Sequence, residues 1–223
     1  MINVIHTGPF GVNTLVVSLD ESRCFIVDPA CCEFCGDEKI ITRYLMEKNL
    51  SLEAIILTHG HFDHVAGLSF LKKCYPNIPI LIHKDDSPYI GILSSEKQIE
   101  TLAAMGFLDF LPSVSELPEA TAYLENGQTL DFYVKSAGFE NWKIIHTPGH
   151  TKGGICLYNK KDGELISGDT IFYGSFGRTD LPDGDESLLF ESLNKIYSTI
   201  PENTKVYPGH DTYGFELKFG GRF

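Results

Sequence analysis

The sequence has no apolar run approaching the ~18 residues that would cross a bilayer, and its opening, MINVIHTGPF, has no basic stretch followed by an apolar one. Those two absences point to a cytoplasmic protein rather than an anchored or exported one. Basic charge is also scarce: 18 Lys and Arg against 30 Asp and Glu give a formal net charge of −12. Phosphate backbones and anionic lipid are repelled on average, so neither nucleic acid nor membrane is expected as a partner. Low-complexity segments and short-period repeats are missing as well. What remains is a composition ordinary for a packed protein, 43% hydrophobic and 22% charged, and long enough at 223 residues to bury a sizeable core. One domain over residues 1–223 is expected, and no linker has to be invented.

Cysteine is not scarce, but its arrangement excludes the usual scaffolds. Cys24, Cys31, Cys32, Cys35, Cys74 and Cys156 sit in a chain read as cytoplasmic, so free thiols are expected rather than a disulfide framework. The cluster CCEFC, residues 31–35, has no second Cys or His pair at zinc-finger spacing, and adjacent cysteines do not easily face one ion. A loop of free thiols beside a pocket fits it better than a metal site.

Short β-rich runs and turns open the chain: INVIH, NTLVVSL and CFIVD read as an antiparallel meander ending at Asp28-Pro29. Residues 37–49 carry Ile40, Ile41, Tyr44 and Leu45 at helical spacing, and LEAIIL follows as a buried strand. HVAGLSFLKKCY reads as a helix, IPILIH as a strand, and residues 84–112 as one or two helices over a face of the molecule, a candidate lid. The second half expects strands in TAYLENGQTLDFYVKSAGF, WKIIHTPGH, GGICLYNKKDGELISGD and KVYPGH, with a helix over DESLLFESLNKIYSTI. ENG and KKDG are expected to turn hairpins. Two β-rich halves, each with helices, imply two packed sheets covered by helices on both outer sides.

Four apolar strands end alike, in ILTHGHFDH, IIHTPGH, LISGDT and KVYPGH, each delivering His or Asp in a Gly-bearing turn. His59 and His61 are two apart in extended backbone, so they point the same way and can chelate one ion. As the backbone turns into a helix, Asp63 and His64 face a neighbouring point, and a second ion comes within reach. Neither ion is complete from this segment, and His150, Asp169 and His210 supply the remainder. A carboxylate such as Asp169 can bridge two cations. His6, His83 and His146 have no second ligand nearby in sequence and read as structural. Phe172, Tyr173 and Phe176 can line a pocket or belong to the core.

With THGHFDH, TPGHT, SGDT and PGH in this order, nearly the whole chain resembles the metallo-β-lactamase superfamily, and within it the small single-domain glyoxalase II-like hydrolases. The resemblance implies an α+β fold, a four-layer αββα sandwich. It places His59, His61 and His150 on one metal, Asp63, His64 and His210 on a second, with Asp169 bridging. Asp28 falls where the family has a carboxylate supporting a ligand histidine, and Arg178, in GSFGRTDLPDGD, where a basic residue contacts a glutathione carboxylate. The alternative for Arg178 is an ion pair with Asp180, Asp183 or Asp185. The implied cofactors are two divalent metal ions, zinc first, with iron or manganese as substitutes. The implied reaction is hydrolysis of a small-molecule thioester such as S-lactoylglutathione, by a metal-bridging hydroxide that Asp63 helps to orient. Asp169, rather than Cys, separates the chain from zinc β-lactamases that use a thiolate ligand. Larger glyoxalase II enzymes carry a further helical domain after the position of His210, which leaves another thioester open. The rival readings are a mononuclear iron persulfide dioxygenase, with His59, His150 and Asp169 on the iron, and a non-catalytic or other metallo-hydrolase member of the superfamily.

Overall fold

The computed structural model describes residues 1–221. Among these described residues the strands gather into two large sheets and one short hairpin. The first sheet runs β1 (Ile2–Thr7), β2 (Val12–Ser18), β3 (Arg23–Val27), β4 (Ser51–Ile56), β5 (Ile80–His83) and β6 (Ala122–Leu124). Its first three strands form the expected antiparallel meander, whereas β3 to β6 are parallel. Parallel neighbours need crossovers, and these are α1 (Ile40–Glu47), then α2 (Phe62–Val65) with α3 (Leu68–Cys74), then α4 (Ser94–Ala104). The second sheet holds β7 (Trp142–His146), β8 (Ile155–Asn159) and β9 (Glu164–Gly168). After the hairpin β10 (Ile171–Phe172) and β11 (Ser175–Phe176), helix α5 (Glu186–Thr199) leads to β12 (Lys205–Pro208), parallel to β9, and to β13 (Phe215–Glu216) at the edge.

Strand alternation builds the layers. Leu15, Val17, Phe25, Val27 and Ile56 of the first sheet meet Ile144, Ile155, Leu157 and Ile166 of the second in a shared core. The residues between them face outward: Val16, Cys24, Ile26 and Ile55 pack under Ile41, Leu45, Leu68, Leu71 and Leu102 of the helices. On the far side Ile145, Cys156, Leu165 and Val206 pack under Leu189, Leu193 and Ile196 of α5. The order is helices, sheet, sheet, helix, the αββα sandwich that the resemblance implied.

Three expectations change. The helix over HVAGLSFLKKCY is interrupted between α2 and α3, because the Gly67 N–H turns aside to donate to Pro29 O at 2.8 Å. The β-rich reading of residues 120–139 shrinks to β6: Leu130 and Phe139 lie in short 3₁₀ turns that fill the core between the sheets. ENG does not turn a hairpin there, since the Gly127 N–H donates to Ile144 O of β7. Residues 84–112 cover a face as expected but are packed down, with Tyr89, Leu102 and Phe110 fully buried.

Candidate metal centre

The four Gly-bearing turns converge at one end of the sandwich. His59, His61 and His150 form one group of donors, and Asp63, His64 and His210 a second, with the donor atoms of each group within 4.8 Å of one another. Asp169 lies between them. Its Oδ2 is 3.6 Å from His150 Nε2 and 3.6 Å from His210 Nε2, and its Oδ1 is 3.5 Å from His64 Nε2. His61 Nδ1 to His150 Nε2 is 2.9 Å, His64 Nε2 to His210 Nε2 3.1 Å, and His210 Nε2 to Asp63 Oδ2 3.4 Å. These separations match the edges of a tetrahedron built on metal–nitrogen bonds of 2.0–2.1 Å, which are about 3.3 Å. All seven residues singled out from the sequence are brought together.

The donor set is also chemically prepared for cations. Among the described residues His59 Nε2, His61 Nε2 and Asp169 Oδ1 are buried with no hydrogen-bond partner. Buried polar atoms are normally satisfied; other such orphans lie on Asn13, Gln98, Thr101 and Glu164, but an unpaired imidazole nitrogen on His59 and an unpaired carboxylate oxygen on Asp169 are the kind of donors that fit a bound ion. Burial, reinforced by the neighbouring imidazoles, lowers the pKa of His59 and His61 well below the usual histidine range. They are neutral and present lone pairs, as metal ligands must. For His64 burial pulls the other way, but Asp169, Asp63 and Asp28 overcome it and push the value up to about 10. Burial likewise works against ionisation of Asp63, and His64 and His210 nevertheless hold it below the carboxylate range. Excess negative charge beside His64 is what a divalent cation would neutralise.

Four of the five rings are aimed by their other nitrogen, and His61, whose Nδ1 faces His150, is the exception. His64 Nδ1–H donates to Asp28 Oδ2 at 3.0 Å, and the Thr58 hydroxyl donates to the same oxygen at 2.5 Å. With its proton so used, Thr58 Oγ1 accepts from His59 Nδ1–H at 3.1 Å. Asp28 therefore orients two rings, one directly and one through Thr58. It sits at φ 51°, in the left-handed region that non-glycine residues rarely adopt. His150 Nδ1–H donates to the backbone carbonyl of Arg178 at 2.8 Å, and His210 Nδ1–H to Phe10 O at 3.3 Å. Such partners fix tautomer and ring direction.

The turns themselves are tied by residues that sequence reasoning passed over. Asp86 is fully buried and accepts from Gly60 N (2.9 Å), the Thr151 hydroxyl (2.7 Å) and Gly153 N (2.6 Å), joining the His59–His61 turn to the His150 turn. Burial pushes its carboxyl up to about 6 in spite of those three donors. Gln98 completes the clamp, donating to Gly60 O at 2.8 Å. A Cβ on Gly60 would collide with Tyr89, and one on Gly209 with Asp169 Oδ1 and His64, so both turns require glycine. Asn13 donates to Pro208 O and Asp211 O at 3.0 and 3.1 Å, anchoring the His210 turn to β2. The only sequence signal for Asp86 and Gln98 was their polarity inside an otherwise amphipathic segment, and it does not say what they hold.

A cleft of about 380 Å³ opens onto the donors, lined by Phe10, Phe62, Met105, Phe172, Phe176 and Arg178. Of the aromatics left open by the sequence, Phe172 and Phe176 line it, while Tyr173 is exposed and meets Phe215 edge-on. The Arg178 guanidinium grips Asp180 at 2.6 and 2.7 Å and reaches Met105 Sδ at 3.2 Å. Asp183 instead pairs with Lys97 and Lys152, and Asp185 caps α5.

Comparison with known proteins agrees with this geometry. The family model of the Metallo-beta-lactamase superfamily matches residues 7–210. The "Probable metallo-hydrolase YqgX" of Bacillus subtilis (strain 168) is 32% identical, the match covering 91% of this chain and 86% of that one. The "Hydroxyacylglutathione hydrolase GloC" of Haemophilus influenzae is 27% identical, with 95% and 91% covered. Among solved structures, the BLEG-1 B3 metallo-beta-lactamase superposes with TM-score 0.81 at 28% identity, over 98% of this chain and 95% of its own. TTHA1623 in a di-iron-bound form gives TM-score 0.79 at 28% identity, over 97% and 96%.

Proposed function

The chain belongs to the metallo-beta-lactamase superfamily, and from that premise we propose that it is a binuclear metal-dependent hydrolase of small-molecule thioesters, of the glyoxalase II type. The observation that carries the reading is the position of Asp169. One carboxylate stands 3.6 Å from His150 on one side and 3.5–3.6 Å from His64 and His210 on the other, and so joins two three-residue groups. His59, His61 and His150 would hold one cation, Asp63, His64 and His210 the other, with Asp169 shared. Two divalent cations held there would lower the pKa of a water toward neutrality and polarise a substrate carbonyl.

The chain's own residues supply the rest. Asp63, kept ionised by His64 and His210, is an acceptor able to orient a nucleophilic water. Phe10, Phe62, Phe172 and Phe176 give the cleft an apolar wall that excludes bulk water from the carbonyl. A thiolate leaving group, with a parent pKa of about 8.5, departs with little help from a general acid, so Asp63 and Asp169 are free to serve the metal groups. Arg178, at the cleft rim, is the candidate contact for a substrate carboxylate, reached by exchanging its exposed Asp180 partner. The likeness to GloC supports the thioester.

The BLEG-1 superposition favours a second reading, hydrolysis of a β-lactam amide. Elemental analysis of the purified protein, paired with S-lactoylglutathione and chromogenic cephalosporin assays, decides. Two metals per chain with thioester turnover is the expected result. Cephalosporin turnover without thioester turnover selects the second reading. One iron per chain, with oxygen uptake on a persulfide and no hydrolysis, overturns both.

A further inference from the structure

Cys32-Glu33-Phe34-Cys35 lies between β3 and α1, away from the seven donors, and the hydrolytic reading gives it nothing to do. The Cys35 N–H donates to Cys32 O at 3.3 Å. Such an i to i+3 closure holds the two Cα atoms within about 7 Å, and disulfides span about 4.4–6.8 Å. Cys32 Sγ, Cys35 Sγ and a carboxylate oxygen of Asp37 already lie within 4.8 Å of one another. Cys32 is nearly buried, at 4% exposure, and borders an open groove with Phe70, Lys73 and Glu116, while Cys35 is exposed.

From this placement we propose that Cys32 and Cys35 form a reversible dithiol–disulfide pair, oxidised by a low-molecular-weight disulfide. The Cys35 thiolate attacks one sulfur of the incoming disulfide, forming a mixed disulfide and breaking the small S–S bond to release a thiolate, which takes up a proton to become the first small thiol. Cys32 then gives its proton to solvent and attacks the Cys35 sulfur, expelling the second thiol. Two thiols and one small disulfide become one protein disulfide and two small thiols, so atoms and electrons balance. Burial pushes the Cys32 thiol up to about 12, which leaves exposed Cys35 as the entering group and Cys32 as the one that resolves it.

A metal site is the poorer use of these residues. Both Asp37 oxygens are taken by backbone donors, Cys32 N at 2.7 Å and Gly8 N at 2.8 Å. Among the described residues the group has three donors, where a structural zinc takes four. Cys31 is not one of those three donors and is fully buried beside Gly67. The pair also has a path to the cleft. Phe34, between the two cysteines, meets Phe110 and Phe107 edge-on at 5.3 and 5.9 Å, and Phe107 meets Phe10 and Phe62, which line the cleft.

The test treats the folded metal-loaded protein with bis(hydroxyethyl) disulfide, an uncharged probe that Glu33, Asp37 and Glu38 do not repel. Free thiols are then alkylated, and intact and peptide masses are read. The expected product is a Cys32–Cys35 linked peptide, two hydrogens lighter than the dithiol and reopened by dithiothreitol. Cys32→Ser should stop at one hydroxyethylthio adduct on Cys35, and Cys35→Ser should leave Cys32 unmodified. A wild-type adduct that persists on Cys35 with Cys32 still alkylatable, or a link from Cys35 to Cys31, overturns the proposal. So does a bound metal that Cys32→Ser removes.

Discussion

The structure places a ring nitrogen each of His83 and His146 and a carboxylate oxygen of Asp85 within 4.8 Å of one another, as close as the donors of His59, His61 and His150. The two groups differ in how their rings are held. His59, His61 and His150 meet edge-on, with interplanar angles of 76–90°, so in-plane lone pairs can converge on one point. His83 and His146 stack face to face at 4.1 Å and 11°, so their lone pairs lie in nearly parallel planes. His83 Nδ1 is occupied by the Asp85 N–H at 3.3 Å and His146 Nε2–H by Lys152 O at 2.9 Å, whereas His59 Nε2 is buried and unpartnered. Asp85 is exposed, and Asp63 is not. Composition and proximity alone do not separate a metal centre from a stacked pair; ring angle, buried orphan atoms and the partner of the outer nitrogen do.

The sharpest way to break that comparison is to remove ligands from each group. Asp169→Ala, or dialysis against a strong chelator, should abolish hydrolysis, with divalent metal restoring the chelated wild type but not the variant. His83→Ala with His146→Ala, at the other end of the scale, should change neither metal stoichiometry nor turnover, and should lower stability by about 1 kcal/mol for a half-buried stacked pair. Metal bound at His83 would erase the distinction drawn from ring angles.

Between these extremes lie the residues that aim the rings. Asp28→Ala frees His64 Nδ1 and Thr58 at once and should weaken metal binding or activity about 10- to 100-fold, read by chelator competition. Asp86→Ala leaves the Gly60 and Gly153 N–H groups buried without acceptors and should cost about 1–3 kcal/mol in urea unfolding of the metal-free protein. The sign with pH follows from the raised carboxyl. Between its ordinary 3.8 and about 6 the folded state keeps a proton that the unfolded chain has released. Its contribution to stability is therefore full below pH 3.8 and falls as pH rises through about 6. The gap between wild type and Asp86→Ala should narrow over that window; a gap that widens would contradict the burial of this carboxyl.

What was legible in advance is what repeats along the chain. Period-two alternation in VNTLVVS and RCFIV made the strands, and helical spacing made α1 and α5. A histidine at the end of an apolar strand is local, so the seven donors could be listed one turn at a time. Residues 120–139 misled because their apolar side chains plug the space between sheets, a demand that leaves no local period. Thr58, Asp86, Gln98 and Asn13 were missed for a related reason: the last three hold backbone groups far along the chain, and Thr58 links its neighbour His59 to the distant Asp28.

By itself the sequence determined which side chains stand at the strand ends, because alternation and turn residues act over a few positions. Only the tertiary structure decided that these ends meet, that Asp169 falls between two groups, and that Asp28 serves two rings. The physical reason is range. Hydrophobic period and turn chemistry are settled among neighbours, whereas a carboxylate shared by His64, His150 and His210 exists only once two sheets have packed face to face.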